Sequence, residues 1–200
     1  MRILYFLIIL IFFSNNLYAD NSSLWLKKEI DIILQAYKNE NIPNEKKFLL
    51  IENTINYNFA GAGIAKFVSG EAWSSAKKEV KKEYIKLFKR HLALNIASMM
   101  KGYSNQEYQL STNSYDTKNK VTLIDMKIFN DSGDLLVTWR IKESKDRFFV
   151  IDLLVADISL VVTKRSEFNS MLQNLNYDLD KLNILLEKQN DESYKKLINS

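Results

Sequence analysis

Apolar residues recur along this chain with two different periods, and the changes of period divide it into three blocks. From about residue 23 to 103 they return every three or four positions, as on one side of a helix. From about 106 to 162 they alternate, as on a strand, and from about 163 to 189 the helical spacing returns. In the first block Leu26, Ile30, Ile33, Leu34 and Tyr37 define a helix over Leu24 to Tyr37. Asn41-Ile42-Pro43 breaks it, and Pro43 is suited to open the next helix as its first residue. A shorter helix runs from Phe59 to Ser69, with Gly70 placed to end it, and a long one from about Ser75 to Met100. On the long helix and just past it, Val80, Tyr84, Leu87, Phe88, Leu92, Leu94, Ile96, Met99, Met100 and Tyr103 sweep roughly 240° of the circumference, where one-sided packing needs little more than 100°. This helix therefore sits centrally in the core or borders something apolar besides the core. His91 and Asn95 fall inside the apolar arc.

In the strand block, Thr122, Ile124, Met126 and Ile128 alternate with Val121, Leu123, Asp125, Lys127 and Phe129. Asp131-Ser132-Gly133-Asp134 is a turn, Leu135 to Ile141 the returning strand, and Lys142 to Arg147 a charged turn. Phe148 to Ala156 is the next strand, with Phe149, Ile151, Leu153 and Val155 on one face. Phe148, Val150, Leu154 and Ala156 occupy the other, with Asp152 among them. This strand is apolar on both faces, which a sheet with one wet side does not need. Asp157 then bends the chain into a short strand that feeds the last helices. Short connections imply antiparallel neighbours. The block pattern predicts an α+β fold: a curved antiparallel sheet of about four to five strands packed against several helices.

The first residues stand apart from this pattern. A positive start at Met1-Arg2, an apolar run from Ile3 to Phe13 and the small-residue site Leu17-Tyr18-Ala19 form the layout of a secretory signal peptide. The run is short of the ~20 residues a membrane helix needs, so cleavage before Asp20 is expected, with a retained anchor as the alternative. The expected organisation is a signal peptide over 1–19 and a single domain over 20–200. The chain has no cysteine, which leaves no disulfide, no thiol chemistry and no cysteine-ligated metal. An exported, cysteine-free protein suits the periplasm of a Gram-negative bacterium. Without Arg2, 27 basic residues stand against 24 acidic ones, too small an excess to imply nucleic acid. The densest basic group, Lys77, Lys78, Lys81 and Lys82, is interleaved with Glu79 and Glu83 and reads as a solvated helix face. Asn21-Ser22-Ser23 matches a glycosylation pattern by its three residues alone.

Candidate chemistry is sparse. With one histidine and no cysteine, only carboxylate-oxygen metal sites could exist, and a nucleophilic triad would have to use His91. Gly61-Ala62-Gly63 has the start of a dinucleotide loop, but Lys66 stands at the third glycine and no strand precedes it. Asp152 and Asp157 could be a carboxylate pair in an apolar cavity, as in isomerases of cone-shaped α+β folds, or they could be architecture.

One set of motifs is specific. Trp139-Arg140, Phe148, Val150-Ile151-Asp152, Asp157-Ile158-Ser159-Leu160 and Thr163-Lys164-Arg165-Ser166-Glu167-Phe168 together resemble the MlaC, or toluene-tolerance auxiliary, family. Phe59, Ala65, Val68, Gly70, Trp73, Tyr84 and Phe88 match its upstream pattern, and Leu175-Asn176-Tyr177-Asp178 to Leu182 resembles its ending. Two positions depart: Ile151 stands where the family has tyrosine, and Asp157 where it has glycine, which bears on the turn there. The resemblance implies a periplasmic phospholipid carrier, not an enzyme, serving an ABC-type lipid transport system. It implies glycerophospholipid as cargo and no cofactor. The implied partners are an inner-membrane ABC transporter complex with its MCE-domain protein and an outer-membrane lipoprotein complex. It further implies an apolar pocket between sheet and helices. The residues expected to wall it are Val68, Trp73, Phe88, Met99, Tyr103, Ile124, Met126, Ile128, Trp139, Ile151, Leu153 and Val155. Lys164 and Arg165 are suited to a phosphate head group or, alternatively, to capping a helix start near Thr163. A periplasmic enzyme acting on an apolar substrate and a lipid-free adaptor are the competing classes.

Overall fold

The computed structural model describes residues 21–103 and 105–199, so the expected signal peptide lies outside the described residues. The chain divides into two compact units. One comprises the residues up to Asp31 with Gln106–Asp157, and the other Ile32–Asn105 with Ile158–Ser200. The helix over 21–38, α1, is shared between them at Asp31 and Ile32. Strands and helices are segregated along the chain, giving the α+β fold that the block pattern predicts.

The sheet is an antiparallel meander of β1 (Tyr108–Asp116), β2 (Val121–Ile128), β3 (Leu135–Ser144), β4 (Arg147–Val155) and the short β5 (Ile158–Ser159), in spatial order β1-β2-β3-β4-β5. The charged turn expected over Lys142 to Arg147 is shorter: β3 runs on to Ser144, and Lys145-Asp146 alone turn the chain. Both have positive φ, 51° and 58°, which a tight two-residue hairpin loop of the twist-compatible kind demands. Ala156 and Asp157 form a second such loop, with φ of 47° and 64°. Asp157 thus stands in the left-handed conformation that glycine adopts most easily, and Ala156 beside it is the residue with the poorer tolerance for it.

Two irregularities in register, at Thr112/Ser114 and at Arg140/Ile141, bend the sheet. The second corrects the expected alternation of β4. Arg140 pairs with Asp152 and Ile141 with Val150, so Ile151 is the extra, unpaired residue of a bulge. Beyond it the faces exchange. Leu153 and Val155 share a face with Trp139 and Val137, but there they are continued by Val150 and Phe148, opposite Ile141 and Glu143. That face, called the inner face below, also carries Thr122, Ile124 and Met126 of β2, all buried. Helix α1 touches it at two diagonally opposed corners. The Trp25 ring lies 5.7 Å from Phe148, and the Tyr108 hydroxyl donates to Asp31 at 2.6 Å. The outer face is mixed, with Leu123, Leu136 and Leu154 among polar groups. Asp125 accepts from Thr138 at 2.7 Å and from Asn113 at 2.9 Å, and Arg140 lies 3.5 Å from Asp152.

The helical unit contains α2 (Asn44–Asn58), α3 (Gly61–Ser69), the single turn α4 (Ala72–Ser75), α5 (Lys78–Met100), α6 (Leu160–Asn174) and α7 (Leu179–Ile198). Pro43 precedes α2 as its N-cap instead of opening it. Gly70 ends α3 with φ 54°, a conformation that favours glycine. The wide apolar arc of α5 is explained inside this unit: α2, α3 and α7 all pack on it. One cluster joins Tyr84 and Phe88 of α5 to Val68 of α3, Phe168 and Leu172 of α6, and Leu182 of α7. A second joins Phe48, Ile51 and Ile55 of α2 to Ala93, Leu94 and Ala97 of α5 and Leu197 of α7. Arg90 spans the second cluster's rim, stacked 5.2 Å from Phe48 and 4.9 Å from Tyr194 while paired with Glu52 at 2.6 Å. Two buried asparagines of α7 donate to carbonyls of α5: Asn183 to Val80 at 3.1 Å and Asn190 to Leu87 at 2.9 Å.

Candidate functional site

The cross-strand ladder decides which predicted residues meet on the sheet. Ile124, Trp139 and Leu153 stand in one row across β2, β3 and β4. Met126, Val137 and Val155 form the next row, and Ile128 follows opposite Leu135. Six of the predicted residues are thereby brought onto the inner face; Ile151, the bulge residue, has no place in these rows. Ile124 and Met126 are buried, while Ile128, Trp139, Leu153 and Val155 are half-buried. Sequence reasoning missed Val137, Ile141, Val150 and Phe148 on this face. Val137 and Ile141 carried a signal in the period of β3. Val150 and Phe148 did not, because the bulge moves them there.

The two rows through Ile124 and Met126 are apolar except at Trp139, while Thr122 and Glu143 bring polar groups to the end of the inner face towards the β3–β4 turn. The indole Nε1 of Trp139 is buried and has no hydrogen-bond partner. Buried donors are nearly always paired, so this one marks a position where an acceptor is expected.

The helical unit holds the other predicted wall residues. Val68 and Phe88 are buried in the aromatic cluster. Trp73 is half-buried, with the Lys81 ammonium 5.5 Å from its ring. Met99 is 65% exposed near the end of α5. Tyr103, just past that helix, is half-buried, and its hydroxyl is buried without a partner. Lys164 pairs with Glu167 at 2.7 Å. Arg165 donates to the Phe67 carbonyl at 2.7 Å and stacks 4.4 Å over the Phe67 ring, tying α6 to α3. The cap at the start of α6 is provided by Ser159, whose side chain accepts from Val162 N–H.

The groups considered for catalysis have structural roles here. His91 lies edge-on to Phe168, with ring centroids 5.6 Å apart. Burial first, and then the Lys164 ammonium, push its imidazole down to about 4, against smaller upward pulls from Glu167 and Asn190. Asp152 accepts from the Leu153 N–H at 2.8 Å and faces Arg140. It projects to the outer face, and Asp157 is a turn residue, so the two do not form an acid–base pair over the inner face. Among the described residues no group of three or more His, Cys, Asp or Glu could hold a metal ion. No helix among them is long and apolar enough to cross a membrane.

This architecture is similar to a solved structure, the phospholipid-binding protein from Ralstonia solanacearum in complex with a phospholipid. The TM-score is 0.72 at 15% identity, over 86% of this chain and 98% of that one. No curated protein matches in sequence. The decisive match is to a family: the model of the MlaC protein covers residues 27–188, and the chain belongs to the MlaC family.

Proposed function

We propose that this chain is a periplasmic carrier that moves glycerophospholipid between membranes and performs no catalysis. Family membership carries the reading. The fold it shares with a protein solved in complex with a phospholipid agrees with it. So does the apolar inner face, too rich in half-buried aliphatic residues for a sheet side that only meets water. The physical need is large. Two acyl chains hold roughly 30 methylenes at about 0.8 kcal/mol each, so unassisted passage through water opposes transfer by more than about 20 kcal/mol. A carrier replaces water with apolar side chains and lowers that barrier.

The proposed acyl contacts are the inner-face residues Ile124, Met126, Ile128, Trp139, Leu153 and Val155, with Met126 suited to adaptable packing. Lys164 and Arg165 are the proposed head-group contacts. Each retains donors beyond its contact with Glu167 or with the Phe67 carbonyl, because an ammonium has three N–H groups and a guanidinium five. The proposed donor and acceptor complexes are an inner-membrane ABC transporter with its MCE-domain protein and an outer-membrane lipoprotein complex. Native mass spectrometry of the purified protein tests the reading and should find a diacyl phospholipid bound. Protein that carries none and takes up no labelled phospholipid from vesicles would refute it.

A further inference from the structure

The Trp139 indole interrupts two apolar rows of the inner face, and the nearest other polar side chain of β2 and β3 on that face is Thr122, diagonal to it beside Ile141. Its cross-strand neighbours are Ile124 and Leu153, and its neighbours along β3 on the same face are Val137 and Ile141. None offers a polar side-chain atom. A buried water needs two to four polar partners, and besides the indole only the diagonal Thr122 offers a polar side chain on this face from β2 to β4 around Trp139. A phosphate is no better suited. It would place a charge among aliphatic groups, and the nearby cation of the same strand, Arg140, projects to the outer face beside Asp152. What suits a single desolvated N–H among hydrocarbon is a neutral acceptor joined to hydrocarbon.

Resting on the carrier reading above, we propose that Trp139 Nε1–H donates to an ester carbonyl of the bound lipid. The indole is then a specificity-determining residue. Its ring packs against the first methylenes of an acyl chain while its N–H reads the linkage that attaches the chain to glycerol. The ligand class follows: ester-linked diacyl lipids over ether-linked dialkyl lipids of the same head group and chain length, since an ether has no carbonyl and leaves the donor unpaired.

The test is a competition. The full-length protein is exchanged against vesicles whose phosphatidylethanolamine is half diacyl and half dialkyl, and the lipid bound to it is counted by native mass spectrometry. Wild type should enrich the diacyl form about tenfold, the scale set by an unpaired buried donor. Trp139→Phe should take both forms in the vesicle ratio. Wild type loaded at the vesicle ratio overturns the inference and leaves the carrier reading intact. A preference that survives in Trp139→Phe also overturns it, because another donor is then reading the linkage. Uptake of neither lipid overturns the carrier reading, and the inference with it. Should Trp139→Phe fail to fold, the indole N–H resonance of Trp139 decides. It should move downfield in diacyl-loaded relative to dialkyl-loaded wild type, and coincident resonances would overturn the assignment.

Discussion

His91 is the only histidine in the chain, so its titration can be followed without ambiguity. The imidazole sits against Phe168 with Lys164 nearby, and both circumstances favour the neutral ring, so its folded value falls to about 4. In the unfolded chain it returns to about 6.5. The sign of the effect follows. Above pH 6.5 both states are neutral and His91 contributes no pH dependence. As pH falls from 6.5 towards 4, the unfolded state binds a proton that the folded state refuses, and stability is lost. Below about 4 both states are protonated and the loss levels off. At pH 4.5 the accumulated loss is about 2.5 kcal/mol, a substantial part of the stability of an ordinary domain. Replacing the ring by a neutral amide, His91→Gln, removes this term. Carboxylates titrate over the same range, so the informative quantity is a difference. Urea unfolding of wild type and His91→Gln should be compared at pH 7.5 and pH 4.5. The advantage of wild type over the variant should shrink by about 2 to 3 kcal/mol on acidification. Two results would refute the reasoning: equal pH slopes in the two proteins, or a native imidazole resonance titrating near 6.5.

Other outcomes follow from individual contacts. Ala156→Gly relieves a left-handed alanine and should raise Tm by about 1–3 °C in calorimetry, with a smaller gain for Asp157→Gly because aspartate tolerates that conformation better. Phe88→Ala empties the centre of the aromatic cluster and should cost about 3–5 kcal/mol in urea titration. Arg165→Ala removes the tie to the Phe67 carbonyl and ring, and hydrogen exchange should speed up at the end of α3 while other helices keep their protection. Val155→Glu sets a charge on the inner face and should reduce phospholipid loading with the circular dichroism spectrum unchanged; full loading would place the cargo elsewhere.

Much of the fold was legible because period and punctuation are local. The long helix α5 announced itself by its repeat, α3 by Gly70, and β2 by clean alternation. The surplus apolar arc of α5 was visible too, although its cause, three helices packed around one, is a tertiary fact. What stayed hidden depended on pairing. β1 reads Tyr-Gln-Leu-Ser-Thr-Asn-Ser-Tyr-Asp, mostly polar; it falls inside the strand block, but only its ladder with β2 fixes its bounds and register. The bulge at Ile151 shifts Phe148 and Val150 to the inner face with no signature in the local pattern, because both faces of β4 are apolar. Trp139 was legible as a large apolar side chain. That its N–H has no partner depends on every neighbour at once, and no single segment of sequence contains that information.

The asparagine pair of α7 limits how the helical unit can move. Asn183 and Asn190 are seven residues apart, and so are their acceptors, Val80 and Leu87. The two helices therefore run parallel, locked at two points about 10 Å apart along their axes. A slide of α7 along α5 by one turn breaks both locks; a slide of two turns could remake one at most. Buried polar groups placed in this way select one register. Shear between these helices is consequently a costly motion, whereas rotation about a hinge outside them preserves both bonds. A release step in this protein should carry α5 and α7 as one rigid body.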